Sequence, residues 1–163
     1  MPVEGCAICE IVSTPEEYGR REIVVVQGIS WLGVMSYKQR YLGRTVFFLK
    51  KHREDLGSLS EREMLELGVI IKKYEDRARE AWGVTMFNWA CLMNDSPHLR
   101  HVHFHCYPRY NHPVEVLGET YRDPNFGHPV LHGKEPRVSR RMRWELARQV
   151  GARREFNPGL GMI

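Results

Sequence analysis

The sequence predicts an α+β fold: an antiparallel meander sheet of about five strands, one long amphipathic helix and a C-terminal helix. Three observations predict it. Three strand signals precede any long helix, which favours an antiparallel arrangement over alternating βαβ units. A capped apolar stripe from Ser60 to Trp82 reads as a single helix. Beyond it, His101-Val102-His103-Phe104-His105-Cys106-Tyr107-Pro108-Arg109 alternates with the period of two that marks a half-buried strand.

Taken in order, the chain opens with Cys6-Ala7-Ile8-Cys9, whose spacing lets two thiolates reach one tetrahedral Zn²⁺. A redox pair would follow a strand in a βαβ unit, and nothing strand-like precedes Cys6. Two more ligands are needed, and His52 and one of the later histidines are the candidates. Glu22 to Gln27 and Ser30 to Tyr37 form a hairpin through Gly28. Arg44 to Lys50 follows as a third strand, and its apolar Val46-Phe47-Phe48-Leu49 run places it centrally.

Ser60 and Glu63 have capping-box spacing, so the helix starts there. Its predicted buried stripe is Met64, Leu67, Ile71, Tyr74, Ala78 and Ala81, and Gly83 stops it. Val84 to Met93 is a fourth strand that ends in the turn Asn94-Asp95-Ser96-Pro97. Few residues separate it from the histidine strand, so the two should be antiparallel neighbours. The chain beyond Arg109 reads as irregular through Asp123-Pro124-Asn125-Phe126-Gly127-His128-Pro129, and a last basic helix spans about 137 to 153.

All 163 residues read as one domain, and no repeat or linker interrupts them. The composition, 42% hydrophobic and 27% charged, is that of a globular protein. No apolar run reaches the roughly 20 residues needed to span a bilayer, and no signal-peptide pattern opens the chain, so a cytoplasmic address is expected. Four cysteines without a secretory signal do not suggest a disulfide framework. The net charge of +4 is concentrated after residue 133. Such a tail could touch RNA, although a solvated helix face is the commoner reading.

The histidine row carries the chemistry. Alternation puts His101, His103 and His105 on one face and turns Val102, Phe104 and Cys106 toward a core. Residues two apart on a strand stand about 6.5 Å from each other, so neighbouring imidazoles can address different atoms of one phosphate-sized ligand. Near neutral pH an imidazole can attack through one nitrogen while the other is held by a fixed partner.

His101 to Arg109 resembles the histidine triad (HIT) motif. The resemblance extends to the Cys6/Cys9 knuckle, to Lys50-Lys51-His52 followed by Asp55-Leu56, and to the capped helix, covering about residues 4 to 110. It implies a sheet with the long helix packed on it, commonly a homodimer, and nucleotidyl hydrolase or transferase chemistry. It further implies that His103 is the nucleophile, that the His101 carbonyl holds His103 Nδ1, and that His105 donates to a phosphate or bridging oxygen. In zinc-containing members the ligands correspond to Cys6, Cys9, His52 and His101, a closed structural site. Asn94 matches a phosphate-touching asparagine, with Asn88 as the alternative. Ser96-Pro97 stands in place of a usual Gly-Gln, and His98 in place of a phosphate-contacting Ser or Thr. The long segment after the triad is similar to that of bacterial dinucleoside-polyphosphate hydrolases.

Two other classes are consistent with the residues. One is a catalytic zinc hydrolase that uses triad histidines as metal ligands. The other is a non-catalytic nucleotide- or RNA-binding module contacting its ligand through the basic tail.

Overall fold

A computed structural model describes residues 2–13, 23–93, 100–131, 133 and 137–151. The elements are α1 (Ala7–Ser13), β1 (Ile23–Gln27), β2 (Trp31–Met35), β3 (Thr45–Leu49), α2 (Glu61–Trp82), β4 (Met86–Ala90), β5 (His103–Arg109), β6 (Val114–Val116), β7 (Glu119–Tyr121) and α3 (Arg140–Gln149). The main sheet is fully antiparallel, in the order β1-β2-β3-β5-β4. Its first three strands form the expected meander. Helix α2 then carries the chain to the far edge, and β5 returns between β4 and β3, with β3 in the middle of the sheet.

The sheet has two unlike faces. Phe47 of β3 packs edge-on against Tyr74 of α2 and tilted against Trp89 of β4, with ring centroids 5.4 and 5.1 Å apart. Cys106 and Val102 are fully buried with them, on the core side expected from the alternation. The register pairs Phe48 with His103 and Val46 with His105. Directly opposed residues share a face, so the histidines lie on the side away from α2. His101 and Val102 precede the strand instead of belonging to it, but Leu49 N still donates to the Val102 carbonyl at 3.2 Å.

Helix α2 begins as its sequence dictates. Ser60 Oγ accepts from Glu63 N at 3.4 Å, and the Glu63 carboxylate accepts from Ser60 N at 2.7 Å. Burial opposes ionisation of Glu63, yet the Ser60 donors and the Arg53 guanidinium outweigh it and hold its pKa below the usual carboxylate range. Gly83 closes the helix in the left-handed conformation at φ 64°. The buried stripe is displaced from the expected one. Leu67, Ile70, Tyr74, Ala78 and Trp82 face the core, whereas Met64 and Ala81 are exposed and Ile71 is half-buried. Helix rotation is set by Trp31, whose indole donates to the Glu63 carbonyl at 2.8 Å, and by Tyr74, which bonds Thr45 at 2.8 Å.

Three features depart from the sequence reading. The cysteine knuckle leads into a short helix, α1. The C-terminal helix starts at Arg140, capped by Ser139 Oγ accepting from Met142 N at 3.1 Å. Arg137 lies before it in an isolated bridge to Lys38, while Met142, Leu146, Ala147 and Val150 enter the main core. Finally, the segment after Arg109 contains the β6–β7 hairpin. Its turn residues Leu117 and Gly118 both have positive φ, 52° and 78°. Such turns favour Asn-Gly, so Leu-Gly gave no signal.

A leucine in the left-handed region carries a conformational cost of about 1 kcal/mol. Leu117 is largely exposed and gives up little packing on replacement. Leu117→Asn is expected to raise stability by up to about that amount, measured as an upward shift of the thermal or denaturant midpoint. An unchanged or lower midpoint would contradict the strain assigned to this turn.

Candidate active site and metal centre

His101 joins two clusters. Its Nε2 is 2.6 Å from the Leu49 carbonyl, so that nitrogen carries the proton and Nδ1 is left as an electron-pair donor. Nδ1 faces Cys6 Sγ at 3.3 Å and Cys9 Sγ at 3.6 Å, and His52 Nδ1 stands 3.3 Å from Cys9 Sγ. The four donor atoms lie within 4.8 Å of one another. Tetrahedral zinc with ordinary bond lengths places S and N donors about 3.4 to 3.8 Å apart, so Cys6, Cys9, His52 and His101 fit such an ion. Helix α1 brings the thiols together, with Ile8 and the cysteines forming a small apolar cluster against Phe48. Burial pushes the Cys9 thiol above its ordinary pKa and, opposed by the bond to Leu49, pulls the His101 imidazolium below its own. His101 is thereby kept neutral, as a ligand must be. Glu54 lies 3.5 Å from the outer nitrogen of His52.

The carbonyl of the same residue holds the next histidine. His103 Nδ1 lies 2.7 Å from His101 O, which fixes the tautomer with the proton on Nδ1 and leaves Nε2 as the nucleophilic nitrogen. The His103 and His105 rings are 5.0 Å apart, and both residues are more than nine-tenths buried. Phe48 lies 6.4 Å from the His103 ring, centroid to centroid. Beyond His105, Tyr107 stacks on the imidazole at 5.9 Å and Tyr41 meets Tyr107 edge-on at 5.7 Å. The arrangement provides a fixed nucleophilic imidazole, a second imidazole beside it, and a metal-sized donor set flanking both.

One end of this face is closed by Arg109, which is 3% exposed. Its guanidinium donates to the Asp123 carboxylate at 2.6 and 3.2 Å, to the Asn125 and His128 carbonyls at 2.9 and 3.0 Å, and to Asn88 Oδ1 at 2.9 Å. It also lies 4.9 Å from the centre of the Tyr41 ring. Tyr41 OH donates to Asn125 Oδ1 and accepts from Leu131 N, both at 2.7 Å. The segment from Asp123 to Leu131 is thus clamped onto the triad strand, although the sequence reading left it irregular and without a role. A polar run rich in Asp, Asn and Gly shortly after an arginine was the available signal.

Of the candidate nucleotide contacts, Asn88 is on the triad face opposite Tyr107, with its oxygen turned to Arg109. Asn94, Ser96 and His98 lie outside the described residues, as does the whole expected turn from 94 to 97.

No protein-family model matches the sequence, and no curated protein matches it. Solved structures do. A Zn-bound histidine triad family protein from Mycobacterium smegmatis superposes with a TM-score of 0.58 at 19% identity, over 92% of this chain and 96% of that one. A hypothetical histidine triad nucleotide-binding protein from Sulfolobus tokodaii gives 0.62 at 16% identity, over 96% and 97%. A histidine triad protein from Sinorhizobium meliloti gives 0.64 at 17% identity, over 83% and 91%. His103 and His105 on β5 with His101 just before it, the helix on the opposite face and these superpositions together establish that the chain has the histidine triad fold.

Proposed function

We propose that this chain is a histidine triad enzyme, a nucleotidyl hydrolase or transferase acting at the α-phosphorus of a nucleotide through a covalent intermediate on His103. The observation that carries this reading is the 2.7 Å contact from His103 Nδ1 to the His101 carbonyl, which presents Nε2 for attack. In the first step the Nε2–P bond forms and the bond from phosphorus to the bridging atom breaks. The electron pair goes to the leaving group, which takes a proton from His105 where it needs one. In the second step a water oxygen attacks phosphorus and gives its proton to His105, or to solvent where His105 kept its own, the P–N bond breaks with its electron pair returning to His103 Nε2, and the nucleoside monophosphate departs. A different acceptor in place of water gives the transferase outcome. The positive charge gained by His103 in the first step offsets the phosphate charge, so the reading needs no catalytic metal.

Zinc is the metal we assign to Cys6, Cys9, His52 and His101, where four protein donors leave no open position. The M. smegmatis structure of the same fold is Zn-bound. Held there, the ion anchors α1 beside the triad. The catalytic-zinc reading is disfavoured because the donor set takes in His101 but neither His103 nor His105.

Asn94, Ser96 and His98, in the connection leading to the triad, are proposed as phosphate contacts, with Asn88 as an alternative. Dinucleoside polyphosphates are the proposed substrates because the chain after the triad is long and clamped to it. We also propose a homodimer, since Met64, Leu65 and Val69 expose apolar side chains on the outer side of α2. Among the described residues no helix is long and apolar enough to cross a membrane. Action in the cytoplasm on soluble nucleotides is the compartment we propose.

His103→Ala is expected to abolish turnover of dinucleoside polyphosphates and nucleoside phosphoramidates while metal analysis still finds about one zinc per chain. Loss of the metal in that variant would favour catalytic zinc. Rapid acid-free quench of the wild type should trap a nucleotidyl adduct on His103, visible as a nucleoside monophosphate increment in intact mass. Turnover with no adduct under several quench conditions would rule against the covalent route.

Cys9→Ala, or a strong chelator on the wild type, is expected to remove zinc and lower the thermal midpoint by about 5 °C or more. A midpoint and zinc content equal to wild type would dismiss the structural site.

A further inference from the structure

The two imidazoles of the donor set are held in unequal ways. His101 Nε2 is bound to the Leu49 carbonyl at 2.6 Å, so a backbone group aims its Nδ1 at the thiols. His52 also turns Nδ1 toward them, 3.3 Å from Cys9 Sγ. Its Nε2, however, is shut off from solvent and makes no hydrogen bond among the described residues. A neutral ring that coordinates through Nδ1 carries its proton on Nε2. A buried N–H of that kind is penalised unless an acceptor reaches it.

One acceptor stands close by. Glu54 Oε1 is 3.5 Å from His52 Nε2, longer than an ordinary N–H···O bond. The backbone on both sides of Glu54 is pinned. Val102 N donates to the Arg53 carbonyl at 2.8 Å, the Arg53 guanidinium pairs with Glu63 at 3.0 Å, and Ser58 N donates to the Asp55 carbonyl at 3.1 Å. The Glu54 side chain itself is 57% exposed and has no other partner among the described residues. It lines, with Glu4, Cys6, His52 and Arg100, a cavity of about 220 Å³ beside the donor set. The carboxylate therefore has room to close on the ring by a change of rotamer, with no movement of the chain.

We propose that Glu54 is a positioning residue of the metal centre: its carboxylate accepts the hydrogen bond from His52 Nε2 and so fixes the tautomer and ring orientation that present Nδ1 to the ion. This rests on the assignment of zinc to Cys6, Cys9, His52 and His101 above. The two histidine ligands then differ in kind. His101 is oriented by the buried sheet before any ion arrives, whereas His52 is oriented by an exposed carboxylate that completes its contact when the ring coordinates. An outer partner of this kind holds the ring and raises its basicity as a ligand.

The test measures zinc affinity, by competition with a chromogenic chelator at constant salt, in wild type, Glu54→Ala, Glu54→Gln and the control Glu4→Gln. Glu54→Ala should bind zinc about ten- to a hundredfold more weakly. Glu54→Gln keeps an acceptor oxygen without the charge, and its affinity should fall between those of wild type and Glu54→Ala. Glu4→Gln removes a charge from the same cavity without touching the ring, and should stay within about threefold of wild type. In NMR spectra of the zinc-loaded wild type, the His52 ring should carry its proton on Nε2, and that proton should exchange faster with water in Glu54→Ala. Unchanged zinc affinity in Glu54→Ala overturns the proposal, as does equal exchange of the Nε2 proton in the two proteins. An equal loss of affinity in Glu54→Gln and Glu54→Ala, or a loss in Glu4→Gln as large as in Glu54→Gln, also overturns it, because charge in the cavity then accounts for the effect. A wild type that takes up no zinc removes the metal assignment and the proposal with it. Zinc uptake by the wild type together with any of the other contrary results removes the proposal alone.

Discussion

The imidazole of His101 is the constraint on which the rest of the site depends. Its Nε2 is bound to the Leu49 carbonyl on β3, its Nδ1 faces the Cys6 and Cys9 thiols, and its own carbonyl holds His103 Nδ1. One buried residue thereby ties the central strand, a donor cluster and a prospective nucleophile into a single geometry. A rotation of that ring about its side-chain bonds would break the Leu49 contact in an environment without water to replace it, at a cost of roughly 1 to 3 kcal/mol. The tautomer that suits a metal ligand is thus the one that burial already enforces. The same burial keeps the ring neutral, so fold and coordination chemistry demand the same state of the same side chain.

The two ends of the triad face are closed by different means. At the His101 end, a short helix packs through Ile8, Cys6 and Cys9 on Phe48. At the other end, an ion pair between Arg109 and Asp123, with the Asp123 side chain fully excluded from solvent, pins a long segment to the strand. Burying two charges is costly, and such pairs persist where the remaining donors find acceptors. Arg109 meets that condition, since its other nitrogens reach two carbonyls and an amide oxygen. Removing either partner would leave a desolvated charge, which makes this pair a fixed corner of the site more than a source of net stability. Between the two closures lie His103 and His105, with their rings 5.0 Å apart.

How far the sequence could be read follows from which signals are local. Ser60-x-x-Glu63 and Gly83 bound α2 correctly because caps are satisfied within a few residues of backbone. The alternation around His103 placed Val102 and Cys106 in the core because a strand's pleat is set by chain geometry alone. The need for two more ligands beside Cys6 and Cys9 already pointed to His52 and a later histidine, but His101 as the fourth came from the family resemblance, since nothing in the local pattern brings these positions together. The burial stripe of α2 shifted to Ile70 and Trp82 because Trp31 and Thr45, distant in sequence, set the rotation of the helix. The clamp of Arg109 was hidden for the same reason: its partners lie 14 to 21 residues away along the chain. The β6–β7 turn was hidden for a different one, because Leu117 adopts a conformation that its side chain disfavours.

The separation of the sheet into an aromatic core face and a polar, histidine-bearing face explains why the chemistry can be this rigid. Phe47, Tyr74 and Trp89 interlock behind the strand, and Thr45 with Tyr74 satisfies the buried hydroxyls among them. Strong burial drives the Tyr74 hydroxyl and the Cys106 thiol well above their ordinary pKa values, so neither ionises near neutrality and the core stays electrically silent. Across one strand thickness, the opposite face carries the imidazoles of His103 and His105 and the guanidinium group of Arg109. Register is what keeps the two apart. A slip of one residue between β3 and β5 would bring Phe104 to the site and His103 into the aromatic core, exchanging the two environments completely. The apolar half of the alternation therefore fixes the orientation of the histidine half, and a well-packed core holds His103 on the face opposite α2.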